Sequence, residues 1–451
     1  MSFSRDTDVE KQLSGAIKHT TQEHTSESKN LDLPTIDAAP ETSAPDEDFD
    51  DDEPPDGGLT AWLQVVASLL VNAMTWGYAS TFGVYQLHYV QTLNLPSAQV
   101  SWIGSVQVFL TFATCVFSGR LTDMGHARPT LAAGTFLAVF GTFMTSLAHA
   151  YWQIFLAQGV CVGIGLGLAF MPAISVVSSY FKKNRSFALA LSAVGTSIGS
   201  TSFPAMIQYL TPQIGFHWAV RCAGFLVLFM AVMANLLLRP RLAPRKVGPW
   251  FEWAAFRELP YLLFSMASFI YFYALYFGFF YINSYARNII GFSTIDSVNL
   301  LLITNAMGIP ARPIVGYLAD KYVGPVNIFI VATAVISGLL YSWIGVTTRT
   351  GMYIFSVFYG LSIGANQGTF VAGLASLNKD PRKMGIRFGM IESLSALATL
   401  AGAPTAGAII DHTGGKYFWA QIWGGTVMAI AFVIFLACRM VSTGWKWRVK
   451  I

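Results

Sequence analysis

Apolar residues in this chain come in long unbroken runs, not in alternating or heptad patterns. They recur from Leu59 to the end, at 60–83, 98–118, 129–148, 152–178, 186–206, 217–238, 259–282, 297–318, 325–345, 351–376, 386–409 and 417–438. Each is about 20 residues or longer, enough to cross a hydrocarbon core of roughly 30 Å as a helix. Backbone groups in lipid find no water, so each run must satisfy its N–H and C=O groups internally, which selects helix. None shows the period-two alternation of a barrel strand. The pattern predicts an all-α membrane protein of twelve transmembrane helices.

The polar stretches divide the chain. Residues 1–55 are acidic and rich in Ser, Thr and Pro, ending in DEDFDDDEPPD. Such a segment buries too little apolar area to offset its ordering entropy, so a disordered tail is expected. The first residues, MSFSRDTDVEKQ, carry no apolar signal core, so insertion is expected to rely on the internal helices. The longest internal break, RPRLAPRKVGPWFEWAAFRE at 239–258, splits the runs six and six. Its Pro240, Pro244 and Pro249 oppose a continuous helix, while WFEWAAFRE has the make-up of a short interfacial segment. The expected organisation is a tail (1–55), a six-helix bundle (56–238), a basic linker (239–258), a second bundle (259–440) and a basic tail (441–451).

Charge adds orientation. Only 12% of residues are charged, half of the roughly 25% usual in soluble domains. Of the 24 acids, 16 lie in residues 1–56 beside only four basic residues. Between the runs, 19 Lys and Arg fall in one alternate set of loops, and only Arg287, Arg349 and Lys416 in the other. The positive-inside rule makes the first set, and both termini, cytoplasmic. The four cysteines lie in apolar runs with no pairable spacing, and the seven histidines show no ligand spacing. No G-x-x-x-x-G-K-[ST] loop is present, so direct use of ATP is not expected. Nothing suggests a catalytic centre, a metal, a cofactor or a nucleic-acid partner. The expected partners are the lipid bilayer and a small molecule, so the chain reads as a carrier, not an enzyme.

The two halves repeat a motif. Gly119-Arg120-Leu-Thr-Asp123, with Arg128 after it, follows the second run, and Gly316-Tyr-Leu-Ala-Asp320 follows the eighth. Repeats of this kind mark secondary transporters with a midplane site between halves. The aspartates are expected to form a latch, accepting from helix N-terminal amides or a loop Arg. This G-x-L-x-D repeat resembles the signature loop of the major facilitator superfamily. Asp56-Gly57-Gly58 before Trp62, Tyr180 to Arg185 with Gly195 and Gly199, and Ala311-Arg312-Pro313 with Gly316 resemble its monocarboxylate-transporter-like branch, especially the fungal members. The resemblance covers 56–440 and implies alternating access by two rocking six-helix halves. Proton-linked lactate carriers of that branch place a lysine where this chain has Ser80, and an Asp where it has Gly308. A lactate symporter is therefore not implied. Fungal members include riboflavin carriers and exporters of secondary metabolites, so export of a carboxylate-bearing or aromatic metabolite is expected at the plasma membrane. Riboflavin or monocarboxylate uptake, a vacuolar location and a non-transporting sensor stay open.

The candidate substrate and gating residues are few. Arg312 is an intramembrane guanidinium that needs a partner or an anionic substrate. Glu392 is the one carboxyl inside the later runs, so it either pairs with Arg312, Arg387 or Arg382 or carries a coupling proton. Asn72 and Trp76, Asn305, and Asn366-Gln367 put polar and ring groups at mid-depth, either in a cavity or between helices. Tyr273, Tyr276 and Phe280 share a helical face that could stack a planar substrate. Pro204 and Pro404 occupy corresponding places in the fifth and eleventh runs, as kinks for rocking.

Overall fold

The computed structural model describes residues 54–93, 95, 97–241, 250–378, 380, 383–446 and 449. The expectations for the acidic tail up to residue 53, for Pro244 and Pro249, for Arg382 and for most of the chain beyond 446 lie outside these residues.

Twelve long helices follow one another: α1 (Leu59–Val90), α2 (Ser97–Ala113, continued by Cys115–Leu121), α3 (Ala127–Leu147), α4 (Tyr151–Tyr180), α5 (Arg185–Ile214) and α6 (Phe216–Leu237). The second six are α7 (Leu259–Ile290), α8 (Ile295–Val323), α9 (Pro325–Gly345), α10 (Arg349–Leu377), α11 (Met384–His412) and α12 (Phe418–Ser442). No strand occurs among the described residues. Each run read from the sequence falls on one of these helices to within one residue.

Nine described stretches are long and apolar enough to cross a membrane. One of them, Gln99–Leu147, holds two passes, because the helix breaks at Gly125, whose φ of 88° only glycine adopts easily. The other two passes, α5 and α10, are diluted by Ser, Thr and Gly. Their hydroxyls turn back onto their own helix, as Thr201 does to the Ser197 carbonyl (2.9 Å) and Thr369 to that of Ala365 (2.9 Å). A polar group satisfied in this way costs little inside lipid.

The first six helices and the last six meet along two seams. At one, α2 lies against α11; at the other, α5 lies against α8 and α10. The arrangement is reciprocal, since the second helix of each half faces the fifth of the other. Ser393 staples the first seam: its Oγ accepts the Val116 amide (3.3 Å) and donates towards the Ala113 carbonyl (3.0 Å).

Candidate functional site

Between the two halves lies a cavity of about 1240 Å³, lined from α1, α2, α4, α5, α7, α8, α10 and α11. It extends from Leu189, Arg312 and Phe388 to Arg287, Asp411 and Tyr417. The latter three lie by the α7–α8 and α11–α12 connections. The mouth is therefore at the end opposite the two G-x-L-x-D loops. The volume suits a drug-sized molecule. Pro204 and Pro404 both line it.

Asn72, Trp76, Tyr276, Asn305, Arg312, Gln367 and Glu392 all line this space. The amides of Asn72 and Asn305 also donate within their own helices, to the Ser68 carbonyl (2.9 Å) and the Leu301 carbonyl (3.0 Å). Asn366 does not line the cavity. It is fully buried and donates to Thr333 Oγ1 (2.7 Å), joining α10 to α9. Consecutive residues point about 100° apart on a helix, so Gln367 turns to the cavity while Asn366 turns away.

Tyr273 also lies elsewhere. Its hydroxyl pairs with Thr405 Oγ1 (2.9 Å) and its ring meets Trp423 (5.3 Å). Tyr276 and Phe280 do border the cavity, 5.9 Å apart. At the depth of Tyr273 the same stripe is covered by Thr405 of α11 and Trp423 of α12. Phe272, not singled out from the sequence, faces the cavity in its place.

Arg312 and Glu392 do not pair with one another. Arg312 Nη2 donates to Gln367 Oε1 (2.5 Å) and Nη1 donates to the Ala193 carbonyl of α5, so the guanidinium ties α8 to α10 and to the opposite half. Its Nε has no hydrogen-bond partner, and the described residues offer it no carboxylate. Glu392 is 3% exposed and its Oε2 is likewise unpartnered. The expected pairing of Glu392 with Arg387 does not form. Arg387 instead forks onto Glu258 (2.5 and 3.1 Å) and bonds Glu252 (3.4 Å). The fork matches two guanidinium N–H groups to two carboxylate oxygens, the strongest geometry open to it.

Both loop aspartates reach across the halves. Asp123 accepts the amides of Gly385 (3.1 Å) and Ile386 (2.8 Å) at the start of α11. Asp320 accepts those of Ser186 (3.0 Å) and Phe187 (2.7 Å) at the start of α5. Helix N-termini present unsatisfied N–H groups and a partial positive charge, so each carboxylate is well placed. Gly119 permits the approach, because a Cβ there would run into the Gly385 carbonyl; at Gly316 a Cβ would run into that of Ala190 on α5. Arg120 is buried beside Gly119. Arg128 is not on either aspartate; its Nε donates to the Leu238 carbonyl (3.0 Å) and closes the end of α6.

A second layer of acids was not read from the sequence. Asp56 accepts the amides of Lys182 (2.5 Å) and Lys183 (2.7 Å), just ahead of α5. Glu252 bonds Lys383 (2.6 Å), just ahead of α11. Burial raises the Glu252 carboxyl, but the Lys383 and Arg387 bonds outweigh it and hold it below the usual glutamate range. Each acid comes from the segment leading into its own half, so each latched helix start is held from both halves. An acid ahead of each half, Asp56 before α1 and Glu252 before α7, is the sequence signal, though the pairing depends on three-dimensional proximity.

Comparison with known proteins gives one family. The profile of the Major Facilitator Superfamily matches residues 65–391. An MFS-type transporter of Gibberella zeae is 37% identical over 429 residues, covering 95% of this chain and 97% of its own. MFS-type transporter dbaD of Emericella nidulans is 34% identical, covering 84% and 86%. The Aspyridones efflux protein apdF of the same organism is 34% identical, covering 86% and 79%. Among solved structures, the human organic anion transporter MFSD10 superposes with a TM-score of 0.65 at 14% identity, covering 83% of this chain and 98% of its own. The E. coli fucose:proton symporter FucP gives 0.65 at 15%, covering 84% and 98%. At such identities the structural likeness speaks for the fold.

Proposed function

The chain belongs to the Major Facilitator Superfamily, and from that premise we propose that it exports a small acid-bearing aromatic metabolite by alternating access. It is a multi-pass membrane transporter with the two-repeat fold of that family. The efflux role carried in the name of a relative 34% identical to it supports export. The Asp56-Gly57-Gly58, Tyr180–Arg185 and Ala311-Arg312-Pro313 motifs support membership of the monocarboxylate-transporter-like branch.

One observation carries the substrate reading. Arg312 stands in the cavity with its charge met by an amide oxygen and a carbonyl and, among the described residues, by no carboxylate. A cation held in that way attracts an anion, and the rings of Tyr276, Phe279 and Phe280 line the same cavity with apolar faces. Glu392, unpartnered in the same cavity, is the group we assign to a coupling proton. The distribution of Lys and Arg between helices supports a cytoplasmic latch end and cytoplasmic termini. The mouth then faces outward, at the plasma membrane. No step of this cycle requires enzyme chemistry.

The test is an untargeted comparison of metabolites inside and outside cells with and without the protein, repeated with Arg312→Ala. An acidic aromatic compound should accumulate inside when the protein is absent, and equally when Arg312 is replaced. Depletion inside cells lacking the protein points to uptake, and unchanged export by the Arg312 variant sinks the anion reading.

A further inference from the structure

The latch-side end of the cavity is floored by six aromatic side chains that close on themselves. Trp76 meets Phe112 at 4.6 Å and Phe170 at 5.2 Å between ring centroids. Phe112 meets Phe272 at 5.3 Å, Phe272 meets Phe370 at 5.4 Å, and Phe370 meets Phe388 at 5.9 Å. Phe388 returns to Phe170 at 6.3 Å, which completes the circuit. All six side chains line the cavity.

The circuit is built from two arcs. Trp76, Phe112 and Phe170 come from α1, α2 and α4; Phe272, Phe370 and Phe388 come from α7, α10 and α11. Four of the contacts therefore run within a half. Only Phe112–Phe272 and Phe170–Phe388 run between halves. Rocking of one half against the other carries each arc along whole and strains only those two joints.

The ring also sits where a seal is needed. Phe388 follows two residues after Ile386, whose amide is held by Asp123. Beside the ring and that latch, Val116, Ile386 and Met390 pack into a buried apolar cluster across the α2–α11 seam. Phe112 and Phe388 are each only 1% exposed. Rings covered this completely by their neighbours leave little face for a ligand, which favours a barrier over a binding platform.

We propose that this six-membered aromatic ring is the gate closing the cavity on the latch side, and that it opens by parting at Phe112–Phe272 and Phe170–Phe388. Edge-to-face and tilted rings suit the task. They exclude water by shape and by their weak quadrupole contacts, and separating two pairs strands no hydrogen bond. A polar seal of the same size would have to be resolvated in every cycle. The proposal rests on alternating access and not on any substrate.

The experiment uses the full chain in oriented membrane vesicles, with Cys115, Cys161, Cys222 and Cys438 replaced by alanine and a reporter Ser80→Cys in the cavity wall. A charged methanethiosulfonate reagent is applied from the latch side or from the mouth side, and the rate of reporter labelling is measured. Phe112→Ala and Phe388→Ala should each raise latch-side labelling about tenfold, the scale of one lost aromatic pair with its packing, while mouth-side labelling stays unchanged. Phe112→Leu and Phe388→Leu, which keep most of the bulk, should stay close to the parent. Two results overturn the gate. One is latch-side labelling at the parent rate in alanine variants that label normally from the mouth. The other is a rise on the latch side matched by a fall at the mouth, because the rings then only bias the balance between states.

Discussion

Asp123 and Ile386 belong to opposite halves of the chain, and Asp123 Oδ2 accepts the Ile386 amide at 2.8 Å. Asp320 repeats the contact at the other seam, accepting the Phe187 amide at 2.7 Å. The two contacts exchange under the six-helix repeat, so the closed end is fastened twice by the same chemistry. Removing a charged acceptor from a helix N-terminus costs about 1–3 kcal/mol. Asp123→Ala and Asp320→Ala should each move the population about tenfold towards the latch-open form, and the double variant further still. Latch-side labelling of a cavity cysteine measures this. Wild-type labelling in both single variants would remove the latch from the argument.

Helix number and the latch loops were legible because they depend on local pattern. Runs of about 20 apolar residues have one backbone solution in lipid, and a motif repeated at matching places needs no partner to be noticed. Individual facing was legible only in part. Asn366 and Gln367 are neighbours in sequence, yet one binds Thr333 and the other Arg312. Choosing between them requires knowing where α9 stands. Arg387 was equally ambiguous: Glu392 lies nearby on its own helix, but Glu252 and Glu258 approach from a segment more than a hundred residues away. The aromatic ring was invisible for the same reason, since its six members come from six helices.

Glu392 gives a prediction about energy coupling. It is buried in the cavity wall with Oε2 unpartnered, a position open to substrate and proton alike. Glu392→Gln keeps the shape and removes the exchangeable proton. Net transport by this variant should no longer respond to an imposed proton gradient, while exchange of labelled for unlabelled substrate continues. Vesicles carrying the exported compound, with and without the gradient, make the comparison. A response equal to wild type would show that Glu392 does not carry the proton.

The lead-in to α7 should show its charge through pH. Glu252 is 6% exposed and bonds Lys383 and Arg387, and these bonds lower its carboxyl despite burial. A carboxyl lowered on folding binds more protons unfolded than folded. Its stabilisation is therefore complete above the unfolded value, roughly 4.3, and fades as pH falls through the folded one. Glu252→Gln should cost about 1–3 kcal/mol at neutral pH, with the gap to wild type closing below about pH 4. Thermal unfolding in detergent across that range reads the difference. A gap of constant size down to about pH 3 would mark the contact as packing alone.

Gly308 links the substrate reading to helix packing. Lactate carriers of the branch that this chain resembles have an Asp at the corresponding place, one turn before Arg312. Here a Cβ would meet Ser197 Oγ of α5, and Arg312 Nε lies 3.8 Å from that Cβ position. Any side chain must turn the Ser197 hydroxyl aside, at a cost of about 1 kcal/mol. Gly308→Ala carries that cost alone. Gly308→Asp carries it too, but adds a carboxylate within reach of Arg312, which the described residues leave without an acidic partner. The pair that forms should restore part of the lost stability and cancel the charge offered to an anion. Both variants should therefore unfold at lower temperature than wild type, with Ala still exporting the acidic compound and Asp not. If the two exported it equally well, the charge of Arg312 would have no part in choosing the cargo.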